Sequence, residues 1–504
     1  MKLVRPESIP HIDAMWIAKE EISEETLIRR AGAAVAAKIL ALPVKGDVLI
    51  LSGGGNNGAD GYAAALSLHE AGVCAHVVDV FGKGQRSEGG RAVLNAYRAV
   101  LGEPYTKAVF KADTSASILV EAVMGSGAVG ALSEEAIMIA RWLARQAAYK
   151  IAVDVPLGVD ADYGEVSTDA YRADMTVMLS LPKRGLLSYP AHEYCGTLVC
   201  ADLGVPASDF EAYFAGETVD DAFVRSYLPK RGKNSHKGSF GRLQIFAGSR
   251  KYRGAAQLAS LGALRMGVGL LTLTTEEAVI QTVCRRHPEI LFDEEQPVAA
   301  WREADIARKC AESDTASAIL VGPGAGVSES LYRFLLALSQ REGAPLLLDA
   351  DALGAIAAYA TDVDAFFLSA RRPIALTPHP LEFGRLIGKT AAEVQKNRMR
   401  LALEYAKKWR VSLLLKGAGT LVADGDKMYI NTSGSSALAK GGSGDVLAGA
   451  VGAFLAAGVP VTEALAIAAY LHGKAGESLA SELSEYGVLP SELPRQMAKE
   501  LSRI

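Results

Sequence analysis

The chain has 504 residues, which is too long for a single ordinary hydrophobic core and predicts two or three domains. Half of the residues are hydrophobic and 22% are charged, so there is enough apolar surface to form such cores. A net charge of −4 gives no electrostatic reason to expect nucleic acid or an anionic membrane as a partner. Five cysteines without CxxC spacing, no signal-like start and no apolar run of roughly 18 residues predict a cytoplasmic globular protein.

The first half alternates apolar strands with amphipathic helices. A helix is predicted over residues 23–40, and a buried strand over 47–51 runs into a glycine loop. The later predicted elements are a helix at 59–71, strands at 74–80, 118–123, 150–155, 175–179 and 197–201, and a helix near 134–147. This alternation predicts an α/β, Rossmann-like, doubly wound domain with a parallel sheet covered on both faces.

Three polar or glycine-rich loops follow strands of this half, at residues 52–61, 125–130 and 153–160. Their glycines allow a ligand to approach the backbone closely, and the asparagines and aspartates add directional polar groups. Asp154 ends a strand and is a candidate acid or base. The sequence therefore predicts a site for a phosphate-bearing ligand, with an ordinary set of turns as the alternative.

A polar segment at 206–237 interrupts the alternation and predicts two domains, 1–215 and 216–504. The second half then repeats the α/β pattern. Its predicted elements are strands at 242–247, 270–274, 318–321, 345–348, 374–377 and 411–415, with a helix at 254–266.

The strongest local signal is the run Lys440–Asp445, which precedes an apolar helix. Small residues there let backbone N–H groups converge on an anion at a helix N-terminus. Asp445 is suited to accept a proton from a hydroxyl that attacks a phosphoryl group. A glycine turn with an aspartate as helix N-cap is the alternative.

Further glycine or polar runs lie at the ends of other predicted strands, where open α/β sheets bind ligands. These runs occupy residues 322–326, 349–353, 377–383, 416–420 and 431–436. So many runs at strand ends indicate one shared site rather than unrelated turns.

From about His236 to its C-terminus the chain resembles the ribokinase-like ADP/ATP-dependent NAD(P)H-hydrate dehydratases. The matching runs are HKG at 236, GS at 248, GAA at 254, GPGAG at 322, DAD at 349, TPHP at 377, KGAGT at 416 and GGSGD at 441. The resemblance implies a ribokinase-like domain that phosphorylates the hydrate's ring hydroxyl, with Mg²⁺ screening the phosphates. We favour ADP over ATP as the phosphoryl donor, because such fused chains are typical of bacteria.

The resemblance also implies residue roles in this half, with Asp445 as the catalytic base. The implied substrate contacts are Ala255, Gly324, Gly326, His379, Pro380, Leu381, Glu382, Phe383, Gly384, Arg385 and Asp445. The implied nucleotide contacts are Lys416, Gly417, Ala418, Gly419, Thr420, Ser435, Ser436, Gly441, Gly442, Ser443 and Gly444. Asp349 or Asp351 either acts on Mg²⁺ through water or is structural, and His379 either contacts substrate or fixes a rigid loop between two prolines. Lys440 and Leu381 replace residues usual in the family.

Residues 1 to about 215 are similar to the NAD(P)H-hydrate epimerases. The implied substrate contacts are Asn56, Asn57, Gly58, Ala59, Asp60, Gly125, Ser126, Gly127, Ala128, Val129, Gly130, Ala131 and the catalytic Asp154. The implied potassium ligands are Asn57, Glu121 and Leu157. This sequence departs from the family at four positions: Ala59 replaces a glycine, Glu121 an aspartate, Leu157 a serine and Arg29 a glutamate. Leu157 removes a hydroxyl ligand, and these departures together count against potassium binding.

The sequence therefore predicts one polypeptide that epimerises R and S hydrates of NADH or NADPH and dehydrates the S form. The partners expected are the small-molecule hydrate and copies of the same chain, as a tetramer or octamer, with no nucleic acid and no membrane. Three alternatives stay open: a small-molecule kinase of ribokinase type, a degenerate and mainly structural N-terminal domain, and a nucleotide-binding regulatory module. Asp154 and Asp445 argue against pure sensing, because a phosphate-binding site without chemistry favours neutral or cationic groups.

Overall fold

A computed structural model of the chain describes residues 1–82, 84–127, 130–204 and 206–504. The chain divides into two compact units, Lys2–Glu217 and Thr218–Ile504, the second also containing Met1. Each unit buries its own apolar clusters and is described by itself. Among the described residues, no helix is long and apolar enough to cross a membrane.

The first unit is built around a parallel six-stranded sheet in the order β3-β2-β4-β5-β6-β7. Its strands are β1 (Lys2–Val4), β2 (Val48–Ser52), β3 (Ala75–Asp79), β4 (Ile118–Ala122), β5 (Tyr149–Val153), β6 (Met175–Leu179), β7 (Thr197–Ala201) and β8 (Phe214–Thr218). Its helices are α1 (Ile9–Glu20), α2 (Glu24–Leu40), α3 (Asn56–Glu70), α4 (Glu88–Leu101), α5 (Glu134–Arg145) and α6 (His192–Cys195). Short 3₁₀ helices span Pro6–Ser8, Lys107–Lys111, Arg184–Leu187 and Ala207–Tyr213.

The strand order of this sheet reverses between β2 and β4, so a crevice opens outside their carboxyl ends. Both strands are fully buried, because separate apolar clusters cover the two faces of the sheet. The predicted doubly wound, parallel architecture is confirmed, and the short antiparallel pair of β1 and β8 was not predicted.

Helix α3 begins at Asn56, three residues earlier than predicted. Gly55 is the extended N-cap residue, with φ −104°, so both asparagines belong to the first helical turn. The strand β2 therefore leads almost directly into a helix N-terminus, whose free N–H groups face the crevice end of the sheet.

The second unit carries a sheet in the order β17-β16-β15-β14-β13-β12-β9-β10-β11. Its strands are β9 (Arg242–Phe246), β10 (Leu270–Thr275), β11 (Leu291–Glu294), β12 (Ala318–Val321), β13 (Leu346–Leu348), β14 (Ile374–Leu376), β15 (Ser412–Leu415), β16 (Leu421–Ala423) and β17 (Met428–Ile430). From β15 to β11 every neighbouring pair is parallel, whereas β16 and β17 are antiparallel additions. The mixed sheet with helices around it confirms the predicted α/β fold of this half.

Thirteen helices accompany these strands in the described part of the unit. They are α7 (Asp221–Tyr227), α8 (Arg253–Arg265), α9 (Glu277–Val283), α10 (Glu303–Glu312), α11 (Glu329–Ser339), α12 (Asp351–Tyr359), α13 (Val363–Leu368), α14 (Pro380–Ile387), α15 (Ala391–Lys396), α16 (Arg398–Trp409), α17 (Ser443–Ala456), α18 (Val461–Gly487) and α19 (Leu493–Leu501). Short 3₁₀ helices span Lys237–Phe240, Val298–Ala300, Ser313–Thr315 and Ser436–Leu438.

Helices α8 and α17 cross at close range, and this crossing positions the N-terminus of α17. A Cβ built at Gly449 would lie 1.8 Å from the carbonyl oxygen of Ala259, and one at Gly262 would lie 2.3 Å from that of Val446. Only glycine fits at these two contacts. The helix is buried along most of its length, so the position of its first turn is set by packing.

Candidate functional site

Three neighbouring strands of the second unit bring polar side chains together at their carboxyl ends. The Nζ of Lys416, which follows β15, lies 2.6 Å from Oδ1 of Asp349, which follows β13. The hydroxyl of Thr377, which follows β14, donates to the same oxygen at 2.9 Å. Burial lowers the pKa of Lys416, but Asp349 and Glu382 outweigh it and raise that pKa. The ammonium group is thus held charged inside the crevice.

Asp445 lies in the first turn of α17, facing the same crevice. Burial, reinforced by the negative charge of Asp349, raises the pKa of Asp445 to about 7, while Lys416 acts in the opposite direction. A Cβ built at Gly444 would lie 3.2 Å from the Nζ of Lys416, so that ammonium group borders the turn that carries Asp445. A carboxyl with such a pKa is matched to taking up a proton near neutral pH.

The predicted nucleotide contacts fall on two segments that meet at this point. Residues 416–420 form the turn between β15 and β16, and residues 435–444 lead into α17. Gly442 adopts φ +103°, which favours glycine, and the surroundings of a Cβ at Gly441 are open to 4 Å. The two segments form an accessible cradle of small residues at a helix N-terminus.

Some polar atoms of these segments already have partners. Ser435 Oγ accepts a hydrogen bond from the N–H of Ala437 at 3.3 Å, and the Thr420 hydroxyl donates to the carbonyl of Gly417 at 2.8 Å. By contrast, Ser443 Oγ is buried and has no hydrogen-bond partner within the part of the chain that the structure describes. Ser435 and Thr420 therefore shape their turns, whereas the hydroxyl of Ser443 keeps its hydrogen-bonding capacity unused.

Arg398, which the sequence analysis did not single out, supports the turn after β15. Its guanidinium donates to the carbonyls of Leu415, at 3.3 Å, and Lys416, at 3.2 Å. Burial lowers the pKa of this guanidinium to about 10. These hydrogen bonds hold the backbone segment that carries Lys416.

The loop at residues 322–326 is held at two points. Oδ2 of Asp351 accepts a hydrogen bond from the N–H of Gly326 at 2.9 Å. A Cβ at Gly324 would lie 3.0 Å from the Cβ of Ala255, so these two predicted substrate contacts are adjacent. The geometry gives Asp351 a loop-fixing role, and Asp349 pairs with Lys416 as described above.

His379 caps α14 by a reciprocal pair of contacts. Its Nδ1 accepts from the N–H groups of Leu381 and Glu382 at 3.1 and 3.2 Å, and Oε2 of Glu382 accepts from the N–H of His379 at 2.8 Å. These contacts fix the loop, as one of the two interpretations of His379 expects. The side chain is also 45% exposed, which leaves it accessible to a substrate.

A groove of about 90 Å³ lies beside this loop. It is lined by Val327, Ala350, Asp351, Leu353, Gly354, Ala357, Glu382 and Arg385. Leu381 is exposed close by in sequence, whereas Phe383 is fully buried and packs its ring against Tyr405 and Trp409. Gly384 is buried against the carbonyl of Lys389. Phe383 and Gly384 thus serve packing, and Glu382 and Arg385 face the groove.

In the first unit Asp154 occupies the crevice with a positive φ of 68°, a strained conformation that is common at functional sites. Its Oδ1 accepts from Lys183 Nζ and from the N–H of Leu179 at 3.2 Å, and its Oδ2 accepts from the N–H of Ser126 at 3.1 Å. Burial raises the pKa of Asp154, but Lys183 and these N–H groups prevail and lower it. Lys183, which carries no motif, is 1% exposed and was missed by the sequence analysis.

Two further carboxyl groups surround this ion pair. Burial, with the charges of Asp154 and Asp13, raises the pKa of Asp60 well above its usual value. Burial and Asp154 also raise the pKa of Asp13 to about 6, against the effect of Lys183. Asp13 lies on α1, far from every glycine loop, so no sequence signal connected it with the site. The crevice therefore holds the ionised Asp154 beside two carboxyls with raised pKa values, of which Asp60 favours the protonated form.

Asn57 adjoins the same centre. A Cβ built at Gly125 would lie 3.1 Å from Asn57 Cβ and 3.5 Å from Asp154 Oδ2. Both polar atoms of the Asn57 side chain are buried without a hydrogen-bond partner among the described residues. Asn57, Gly125, Ser126 and Asp154, all predicted substrate contacts, thus lie together in the crevice.

The other predicted contacts of this unit are more scattered. Asn56 Nδ2 donates outward to Glu24 at 3.3 Å, and the carbonyl of Gly58 accepts from Ser52 at 2.7 Å. Ala59 is buried, and the exposed predicted contacts are Gly127, Gly130 and Ala131. Ala128 and Val129 lie outside the described residues.

Glu121 is fully buried at the end of β4. Its two oxygens accept from the N–H groups of Val123, at 2.8 Å, and Leu157, at 3.0 Å. Burial outweighs these donors and raises the pKa of Glu121 to about 8. No cation pairs with this carboxyl in the described parts of the chain, and Leu157 contributes only its backbone, whose carbonyl accepts from Tyr171 at 2.8 Å.

Comparison with known proteins covers both units. Residues 243–499 match the family described as NAD(P)H-hydrate dehydratase, and residues 24–185 match the YjeF-related protein N-terminus. The bifunctional NAD(P)H-hydrate repair enzyme Nnr of Thermofilum pendens is 33% identical over 99% of this chain and 96% of that protein. The enzyme of the same name from Moorella thermoacetica is 33% identical over 88% of this chain and 86% of its own length.

Solved structures resemble the second unit. A ribokinase-like superfamily protein from Enterococcus faecalis is 24% identical, with a TM-score of 0.50, over 58% of this chain and 97% of that one. This likeness concerns the fold alone. An ADP/ATP-dependent NAD(P)H-hydrate dehydratase from Bacillus subtilis, co-crystallised with ATP and Mg²⁺, is 35% identical, with a TM-score of 0.49, over 57% of this chain and 98% of its own.

Proposed function

This chain belongs to the family of bifunctional NAD(P)H-hydrate repair enzymes, and from this premise we propose how its residues divide the work. The first unit interconverts the R and S hydrates of NADH and NADPH. The second unit dehydrates the S hydrate with ADP or ATP as phosphoryl donor. The small-molecule kinase alternative is not favoured, since relatives matched along nearly the whole chain are bifunctional repair enzymes.

The observation that carries the dehydratase assignment is the pKa of about 7 at Asp445, next to Lys416 and the cradle of residues 441–444. Hydroxide is a poor leaving group, so the ring hydroxyl is first phosphorylated. Asp445 takes the hydroxyl proton while the oxygen bonds to the terminal phosphorus and the bond to the rest of the nucleotide breaks. Phosphate then leaves with the push of the ring nitrogen lone pair, and loss of a proton from the adjacent ring carbon restores the dihydropyridine.

Lys416 and the N–H groups of Gly442–Gly444 stabilise the charge on the transferring phosphoryl group. Mg²⁺ usually binds through nucleotide phosphates, water and one or two carboxylates, where it screens phosphate charge. Asp349 or Asp351, at the crevice end of β13, would act on the ion through water while keeping the contacts with Lys416 and Gly326 described above. Glu382 and Arg385, which line the groove, contact the hydrated nicotinamide nucleotide.

In the first unit, epimerisation requires the hydroxyl-bearing ring carbon to lose and regain its configuration. Asp154, kept ionised by Lys183, is placed to accept the hydroxyl proton as the bond between this carbon and the ring nitrogen breaks, and the reverse step closes the ring on either face of the carbonyl so formed. Asp60, whose pKa lies well above its usual value, supplies the proton that the ring nitrogen takes up as that bond breaks.

Potassium fits two of its three implied ligands. The unpartnered Asn57 oxygen and the buried Glu121 carboxyl, which lacks a cation among the described residues, would hold the ion and gain its charge compensation. Leu157 has no side-chain donor to offer. Potassium binding, the preference for ADP, a homo-oligomeric assembly and a cytoplasmic location stay predictions.

The dehydratase assignment is tested with purified S hydrate, Mg²⁺ and either nucleotide, following the return of NADH absorbance. Asp445→Asn removes the base, so dehydration is expected to fall by about 10²-fold or more. Asp426→Asn changes an exposed aspartate of the same unit and serves as the matched control. Undiminished turnover by Asp445→Asn would refute this role.

A further inference from the structure

The segment of residues 485–490, which begins at the C-terminal end of α18, presents an unusually exposed aromatic ring. The helical φ/ψ of α18 breaks at Ser484, where φ is 67°. Two residues later, Tyr486 is 92% exposed, although tyrosine rings ordinarily bury most of their surface. The Tyr486 ring is therefore solvated and is not packed against apolar side chains.

The segment is fixed to the cradle of residues 441–444. The Nζ of Lys440 donates to the backbone carbonyls of Tyr486 and Val488, each at 2.6 Å. Val488 is 1% exposed, and a Cβ built at Gly442 would lie 3.4 Å from the Cβ of Pro490. The Lys440 side chain therefore links the backbone of Tyr486 to the cradle, and Pro490 packs against Gly442 at the other end of the segment.

The space in front of the cradle is open, since a Cβ at Gly441 would meet no heavy atom of the described chain within 4 Å. A nucleotide whose phosphates lie on residues 441–444 extends its ribose and base away from the helix N-terminus. Tyr486 offers an exposed planar ring on a backbone that Lys440 ties to this cradle, and aromatic stacking holds any base because every base has a π-face.

We propose that Tyr486 stacks on the base of the nucleotide phosphoryl donor, and that Lys440 holds the segment in position for it. This inference rests on the proposed function, because it takes the phosphates to lie on the cradle. It adds a base-binding residue that lies outside both glycine segments. Stacking on one ring predicts tolerance toward different bases.

The test measures binding of ATP and of inorganic tripolyphosphate, each with Mg²⁺, to the full chain by calorimetry. Tyr486→Ala is expected to weaken ATP binding roughly 5- to 100-fold and to leave tripolyphosphate binding unchanged. Tyr486→Phe keeps the ring and is expected to bind ATP as the wild type does. Leu489→Ala truncates an exposed side chain of the same segment and is the matched control, with no change expected.

The inference is overturned if Tyr486→Ala binds ATP as tightly as the wild type, or if it loses ATP and tripolyphosphate equally. It is also overturned if Tyr486→Ala alters only the oligomeric mass, because the ring would then contact a second copy of the chain. Failure of the proposed function looks different: the wild type would bind neither probe. Binding of ATP by the wild type and by Tyr486→Ala alike removes the stacking role alone.

Discussion

Asp445 joins two properties that a phosphoryl-transfer base needs, a position at a helix N-terminus and a pKa near neutrality. Burial and Asp349 raise its pKa to about 7, and Lys416 limits that rise. Its neighbours come from different strands, so the protonation behaviour is a property of the assembled crevice.

The pH dependence of dehydration follows from this pKa. Asp445 acts only when ionised, so kcat/KM is expected to fall about tenfold per pH unit below pH 7 and to level off above it. Lys416→Met removes a charge that lowers the pKa, so the rising limb is expected to move to higher pH. Rate profiles at several pH values measure this, and a rate independent of pH across the neutral range would contradict it.

Lys183 gives a second prediction at this scale. Lys183→Met removes the cation that keeps Asp154 ionised, so epimerisation is expected to fall by about 10²-fold or more while dehydration of pure S hydrate continues. It also leaves a buried carboxylate unpaired, which costs about 3–5 kcal/mol. The double variant with Asp154→Asn restores stability in thermal unfolding but not activity. Epimerisation at the wild-type rate by Lys183→Met would exclude this role.

The sequence predicts some of the candidate site residues and misses others. Asp445, Lys416 and Asp154 stand beside glycine runs at strand ends, which is where α/β folds bind ligands. Lys183 and Asp13 belong to no such run, and only the folded chain brings them to Asp154. Local sequence patterns therefore do not predict residues that contact a site from distant parts of the chain.

At the scale of elements, the first turn of α17 is placed by its crossing with α8. Gly449→Ala would force a methyl group against the carbonyl of Ala259, at 1.8 Å, and is expected to destabilise the protein by about 1–3 kcal/mol. The displaced helix carries Asp445, so dehydration is expected to fall as well. Thermal unfolding and the NADH assay measure both effects.

Gly254→Ala is the matched control, since a Cβ at this exposed position on α8 meets nothing within 4 Å. It is expected to leave stability unchanged or slightly raised. Equal stability of the two variants would show that the crossing does not depend on close approach.

The alternation of strands and helices predicts most elements of both sheets, because buried parallel strands leave continuous apolar runs. The strands β16 and β17 were missed, although the equally short β13 and β14 were predicted, because the two missed strands are antiparallel additions outside the alternation of strands and helices. The early start of α3 was missed because it depends on the extended backbone at Gly55, which glycine permits but does not dictate.

At the scale of the whole molecule, two compact units each carry a carboxylate suited to one of the two repair steps. The sequence resemblance predicted this pairing, and relatives matched over nearly the full chain confirm the family. The departures at Ala59, Glu121 and Leu157 leave Asp154 and its donors in place, so the residues of the proposed acid–base centre are retained.

The measurement that tests this account most directly is NADH recovery from a mixture of R and S hydrates, with Mg²⁺, potassium and ADP or ATP. The wild type is expected to recover all the NADH, Asp154→Asn to stop at the S fraction, and Asp445→Asn to recover none. Mixing the two variants is expected to restore full recovery, since each supplies the step that the other lacks. Complete recovery by Asp154→Asn alone, faster than spontaneous epimerisation, or any nucleotide-dependent recovery at the wild-type rate by Asp445→Asn, would contradict the account.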